Sequence, residues 1–222
     1  MPAPELVVFD LDGTLVDTLR SICEATNGVL RDEGLPTHPI ESYRRFAGDG
    51  AAMLIHRATD HQFRDDPDAI DRLIARFRER DEKTDAQYAK PYDGVPDMLD
   101  ALASAGVQLA VLSNKEHAEA VAVVERWFGL DRFVEVAGHG VGYPLKPDPT
   151  GLLTIAQRFR ATPARLAFVG DTDTDMRTGR NAQAFTVGCL WGFRDEPELR
   201  AAGADAIAAS PSDLTPLLLS HA

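Results

Sequence analysis

Five short, mostly apolar runs punctuate the chain: Leu6 to Phe9, Val107 to Leu112, Phe133 to Val136, Leu166 to Val169 and Phe185 to Leu190. Runs of this length, bounded by polar or turn-forming residues, predict strands buried on both faces of a parallel sheet. Most of the segments between them place apolar residues at helical spacing. Leu99 and Leu102 follow Pro96; Val121, Val124 and Phe128 precede Gly129 as a stop; Leu152, Ile155 and Phe159 follow Pro149. Strand and helix alternating in this way predicts an α/β fold, a doubly wound parallel sheet with helices on both faces.

Residues 17–90 break the alternation. They carry helical patterning and no strand, where a single crossover helix needs only about ten to fifteen residues. An inserted all-helical domain is predicted there, leaving 1–16 and 91–222 as the core. Its first helix places Leu19, Ile22, Cys23, Thr26, Val29 and Leu30 on one face, with Asp17 or Thr18 as cap and Gly34 as stop. Its last helix starts at Asp66-Pro67 and carries Ile70, Leu73, Ile74 and Phe77. Ala201 to Ala209 is Ala-rich and predicts no element. Trp127 and Phe128, at the end of a helix, are expected in the core.

A chain of 222 residues suffices for one α/β domain with a modest insertion. Its 44% hydrophobic and 26% charged residues are those of an ordinary globular protein. A formal net charge of -12, with no Lys/Arg-rich run to offset it, disfavours nucleic acid and anionic lipid as partners. The same excess of carboxylates repels a phosphorylated metabolite, so any phosphate site here requires a locally placed cation. Cys23 and Cys189 are far apart and lack metal-ligand spacing, which predicts two small buried hydrophobes. Glu5 and Asp10 interrupt any signal-like apolar stretch, and no run approaches a membrane span, so the expectation is a cytoplasmic protein, a monomer or a homodimer.

Three apolar runs end in dense polar groups: Val8-Phe9 in Asp10, Val111-Leu112 in Ser113-Asn114, and Val169-Gly170 in Asp171. Ligand sites of open parallel sheets lie outside the carboxyl ends of the strands, so these residues are expected to meet at one edge. Asp10 and Asp12, followed by Gly13-Thr14, and a second acidic cluster of Asp171, Asp173 and Asp175 suit Mg²⁺, which takes one or two carboxylates with waters and phosphate oxygens. Lys146, in Pro144-Leu-Lys-Pro-Asp-Pro149, sits on a proline-held loop and would supply a second cation. At about 4 Å and an effective dielectric near 20, a like-charge pair costs about 4 kcal/mol, so a carboxylate cannot approach a phosphate dianion without such cations.

These residues resemble the four motifs of the haloacid dehalogenase superfamily. Asp10-Leu-Asp-Gly-Thr-Leu-Val-Asp17 looks like the first, Ser113-Asn114-Lys115 the second, Lys146 the third, and Gly170-Asp171-Thr-Asp-Thr-Asp175 the fourth, in the expected order along the chain. The helical insertion is similar to the C1 cap of that superfamily. The resemblance implies a Mg²⁺-dependent phosphatase in which Asp10 is the nucleophile of an aspartyl-phosphate intermediate and Asp12 the general acid and base. It further implies metal ligands from the Asp10 and Asp171 side chains and the Asp12 backbone carbonyl, with Asp175 supporting Lys146 and the metal's waters. Ser113, Asn114, Gly13 and Lys146 would hold the phosphate. An acid at Asp12 separates the chain from the dehalogenases and transport ATPases of the superfamily.

Within the insertion, Arg45-Phe-Ala-Gly-Asp-Gly-Ala-Ala-Met-Leu54 resembles the specificity loop of phosphoglycolate phosphatases. That makes Arg45, Gly48, Asp49 and Gly50 substrate-contact candidates and phosphoglycolate the leading substrate among small phosphorylated metabolites. Arg44 and Arg45 read either as a solvated face or as a contact for a substrate carboxylate. Asp173 reads as a helix-capping acid, Gly138 to Gly142 as a loop without nucleotide-binding spacing, and Trp191 to Phe193 as packing or as a border of the site. Two alternatives stand beside the phosphatase: a phosphosugar mutase of the beta-phosphoglucomutase type, and a catalytically silent binding or regulatory protein that keeps the fold.

Overall fold

A computed structural model describes residues 3–219. Strand β1 (Leu6–Phe9) is followed by β2 (Val16–Asp17), and helices α1 (Leu19–Asp32), α2 (Ile40–Phe46), α3 (Ala51–Ala58) and α4 (Pro67–Tyr88) precede β3 (Lys90–Pro91). Strand and helix then alternate through α5 (Val95–Ser104), β4 (Gln108–Glu116), α6 (His117–Phe128), β5 (Glu135–His139), α7 (Thr150–Arg158) and β6 (Leu166–Gly170). The chain ends with α8 (Asp173–Asn181), β7 (Phe185–Cys189), α9 (Glu196–Ala202), β8 (Ala206–Ala208) and α10 (Pro211–Leu219). It divides into two compact units, Met1–Val16 with Pro91–Ala222, and Asp17–Lys90.

The first unit is the expected parallel α/β sheet. Its six strands run in the order β5-β4-β1-β6-β7-β8, and every pair recorded within it is parallel. The sequence Leu-Val-Val-Phe of β1 has no polar side chain, and all four residues are fully buried, as the central position demands. Successive strands move from β1 out to β4 and β5, and the chain then returns to β6 on the other side of β1. That reversal makes the crevice at the carboxyl ends of β1, β4 and β6 the place for a ligand. Leu6, Val8, Leu112, Leu152, Ile155 and Phe168 pack in one core cluster beneath it.

The second unit is all-helical over its long elements. Helix α4 starts at Asp66, whose side chain accepts a hydrogen bond from the Ala69 N–H, with Pro67 at the first helical position. Helix α1 starts at Thr18, whose side chain makes no capping bond; Asp17 Oδ1 instead accepts from the Leu19 N–H at 3.3 Å. Ile22, Val29 and Leu30 of α1 and Ile70, Leu73 and Phe77 of α4 are buried. Asn27 bonds the His38 main chain in both directions at 2.9 Å and accepts from the Tyr43 hydroxyl at 2.7 Å, fixing the turn between α1 and α2.

Four expectations need correction. The strand expected at Phe133 to Val136 runs from Glu135 to His139, because pairing with β4 sets its register; Val134 is exposed and Phe133 closes a 3-10 turn. Gly138 and His139 therefore belong to the sheet and not to a loop. The Ala-rich stretch ends α9 and contributes β8, an edge strand whose bonds to β7 define it more than its own side chains do. Trp127 is 37% exposed, with the Arg126 guanidinium 5.7 Å from its ring centre, so it is not a core residue. Both cysteines are buried and unpaired. Among the described residues, no helix is long and apolar enough to cross a membrane.

Candidate active site

The first unit gathers Asp10, Asp12, Ser113, Asn114, Lys146, Asp171 and Asp175 from four separated segments of chain. Asp10 follows β1 directly, its N–H bonded to the Val169 carbonyl of the neighbouring strand at 2.9 Å. Lys146 lies at the centre of the group. Its Nζ donates to Asp10 Oδ1 at 2.7 Å and to Asp175 Oδ1 at 2.6 Å, and its side chain is 3% exposed. The Asp10, Asp171 and Asp175 side chains each present a carboxylate oxygen within 4.8 Å of the others.

Local structure explains the placement of each group. Asp175 belongs to a capping box at the start of α8: its Oδ2 accepts from the Thr172 N–H at 3.0 Å and the Thr172 hydroxyl at 2.6 Å, while Thr172 Oγ1 accepts from the Asp175 N–H. Its other oxygen is left for Lys146. The main chain of Lys146 is held in turn by Asn114, whose Oδ1 accepts from the Lys146 N–H at 2.8 Å and whose Nδ2 donates to the Lys146 carbonyl at 3.2 Å. A buried peptide flanked by prolines has few other partners, and the Asn114 amide is committed to it. Ser113 lies beside it, buried, its Oγ accepting from the Lys115 N–H.

Asp171 is gripped from both sides. Thr14 Oγ1 donates to its Oδ1 at 2.9 Å and the Phe193 N–H to its Oδ2 at 2.8 Å. Gly13 has φ +88°, and a Cβ there would come 2.3 Å from Asp171 Oδ2; only glycine fits both demands. A Cβ on Gly192 would lie 2.3 Å from the Asp171 Cβ and 2.4 Å from the Gly13 carbonyl oxygen, so the loop after β7 also approaches the site as bare backbone. Trp191 Nε1 donates to the Thr14 carbonyl at 2.9 Å and ties that loop to the one after β1.

The charges do not balance. Three buried carboxylates face one ammonium, an excess of two negative charges in a site where charge is expensive. Burial, reinforced by Asp175 and opposed by Lys146, holds the Asp10 carboxyl well above the usual carboxylate range. Burial and Asp175 push Asp171 up to about 7, against the Phe193 and Thr14 hydrogen bonds. Burial disfavours the charged form of Lys146, but Asp10 and Asp175 outweigh it and keep the ammonium protonated. An all-oxygen donor set with two uncompensated negative charges fits a hard divalent cation such as Mg²⁺.

The other expected residues are distributed as follows. Asp12 is in the same group, its Oδ2 3.9 Å from Lys115 Nζ. Asp173 opens α8 and pairs with Arg177 and, at 3.7 Å, with Arg194. Arg45, Gly48, Asp49 and Gly50 lie in the second unit, in and after the end of α2, with α3 beginning at Ala51. There Arg57 donates to Asp49 at 2.5 Å and to the carbonyls of Arg45 and Phe46, closing the segment into a compact turn. Sequence patterning missed the parts played by Thr14, Lys115 and the Phe193 N–H, and left Trp191 to Phe193 open between packing and a border of the site. Thr14 and Lys115 directly adjoin predicted site residues, and Trp191 to Phe193 proves to be both packing and border.

A profile of the haloacid dehalogenase-like hydrolases matches residues 4–183. The chain is 30% identical over 216 residues to a phosphoglycolate phosphatase of Aquifex aeolicus (strain VF5), covering 97% of each protein. It is 33% identical over 198 residues to one of Agrobacterium fabrum, covering 88% of this chain and 84% of that protein. A crystal structure of a predicted phosphoglycolate phosphatase from Haemophilus somnus 129pt superposes with a TM-score of 0.89 at 25% identity, covering 98% of this chain and 99% of that one.

Proposed function

The chain belongs to the haloacid dehalogenase-like hydrolase family and is a phosphomonoester hydrolase, and on that footing we propose that it cleaves phosphoglycolate with Mg²⁺ through an aspartyl phosphate on Asp10. The observation that carries this reading is the buried Asp10–Lys146–Asp175 group, with Asp171 beside it and two negative charges unmatched. Asp10 and Asp171 would hold the ion through side-chain oxygens and Asp12 through its carbonyl. When bound, Mg²⁺ would supply the missing positive charge and polarise the phosphate.

Asp10 attacks phosphorus, and the bond to the ester oxygen breaks as the new P–O bond to the carboxylate forms. Asp12 gives its proton to the departing alkoxide. The same carboxylate, now ionised, takes a proton from water, whose oxygen attacks phosphorus, releases inorganic phosphate and restores Asp10. Lys146 and the Ser113 hydroxyl hold the transferring oxygens, Asn114 keeps Lys146 in place, and Thr14 with the Phe193 N–H orients Asp171. To the helical unit 17–90 we assign the part of the C1 cap, with Arg45, Gly48, Asp49 and Gly50 as its candidate specificity segment.

Purified protein with Mg²⁺ is expected to release phosphate from p-nitrophenyl phosphate and, with a higher kcat/KM, from phosphoglycolate; a chelator should stop both. Folded, metal-supplied protein that releases nothing from a broad ester panel would overturn the proposal. So would one that converts a sugar 1-phosphate to the 6-phosphate without free phosphate.

The raised Asp171 carboxyl gives a pH signature in the absence of metal. A group whose folded pKa lies above its unfolded value of 3.8 contributes stability that is complete below 3.8 and is lost as pH rises through about 7. In chelator, the melting temperature should therefore fall as pH rises from about 4 to about 7, and saturating Mg²⁺ should remove most of that fall. A melting temperature that is flat over this range in chelator would contradict the assignment.

A further inference from the structure

We infer that Lys115 is a positioning residue for Asp12, its ammonium holding the Asp12 carboxylate where it serves the leaving oxygen. The inference rests on the acid–base part given to Asp12 above. Lys115 follows Asn114 at the carboxyl end of β4, and its N–H is anchored on Ser113 Oγ at 3.2 Å. Its side chain is 6% exposed and its Nζ lies 3.9 Å from Asp12 Oδ2. A buried ammonium is favoured where negative charge faces it, and the carboxylate two residues after the nucleophile is one such charge.

The two lysines of the site divide the first loop between them. Lys146 donates a true hydrogen bond to Asp10 at 2.7 Å. Lys115 Nζ, 3.9 Å from Asp12 Oδ2, stands beyond hydrogen-bond distance, so it draws the carboxylate by charge without bonding that oxygen itself. A group that must first give a proton and then take one is best held in this way. An ammonium that bonded the same oxygen tightly would have to be displaced at each transfer.

The test uses the different demands of leaving groups. kcat/KM reports the steps up to departure of the first product, and p-nitrophenolate departs without a proton whereas an alkoxide needs one. Lys115→Met should lower kcat/KM about a hundred-fold for phosphoglycolate and for a carboxylate-free alkyl phosphate that the wild type accepts. It should leave p-nitrophenyl phosphate nearly unchanged. Lys115→Arg should restore a large part of the loss, and Lys115→Gln, which keeps a polar tip should Met unfold the chain, should repeat the Met pattern.

Equal losses on all three esters would make Lys115 a structural or phosphate-holding group and overturn the inference. Loss on phosphoglycolate alone would make it a contact for the substrate carboxylate and would overturn the inference too, as would full activity of K115M on both alkyl esters. Failure of the wild type on every ester would instead remove the function on which the inference stands, and is distinguished from these outcomes by the wild-type control.

Discussion

Asp10→Asn should release phosphate from phosphoglycolate at least about a thousand-fold more slowly than the wild type while melting no lower. The carboxamide keeps the shape of the side chain but offers no anionic oxygen to phosphorus, so neither the acyl phosphate nor its hydrolysis is available. Stability is expected to hold because Asp10 is one of three clustered buried carboxylates and shares Lys146 with Asp175, and Lys146 retains Asp175 at 2.6 Å when Asp10 becomes neutral. The site then carries one uncompensated charge in place of two. Phosphate release and a thermal melt on the same preparation check both halves. Wild-type turnover in D10N would mean that the nucleophile is another residue.

Lys146→Met should have the opposite balance, a large loss of stability together with loss of activity. It removes the one ammonium from between Asp10 and Asp175, whose side chains are 7% and 0% exposed, and leaves both without a cation. Breaking a buried pair from one side costs about 3–5 kcal/mol. For a chain of this size that corresponds to a fall in melting temperature of about 10 °C. Adding Asp10→Asn to Lys146→Met should recover part of the fall, because it removes one of the stranded charges. A K146M protein that melts with the wild type would show that the carboxylates do not depend on this lysine.

The readability of this chain followed the reach of each interaction. Where a segment's environment is uniform, its own side chains declare it: Leu6 to Phe9 is buried on every side and could be little else than a central strand. Edge strands carry less information. β5 includes Glu135, Gly138 and His139, and β8 is two alanines around Ile207; each is specified mainly by the neighbour it bonds, which local patterning cannot see. The candidate site divides in the same way. Asp10, Lys146 and Asp171 stand out because charged residues directly after apolar strands, or between prolines, are conspicuous. The grip of Thr14 and the Phe193 N–H on Asp171 spans 157 and 22 residues of sequence, and one of its donors is a main-chain group with no side-chain signature. The Lys115 contact with Asp12 crosses the chain from β4 to the loop after β1, and only the sheet order brings them together.

Asp175 is the residue on which two otherwise separate demands converge. One of its oxygens begins a helix and the other steadies the lysine that meets the phosphoryl group, so the chain has no way to relax one duty without disturbing the other. Asparagine could accept from the Thr172 N–H but would surrender the charge opposite Lys146; glutamate would keep the charge and move it by a methylene. Substitution at this position is therefore confined by folding and by chemistry at once. An enzyme built this way cannot complete its phosphate site before the first turn of α8 has formed.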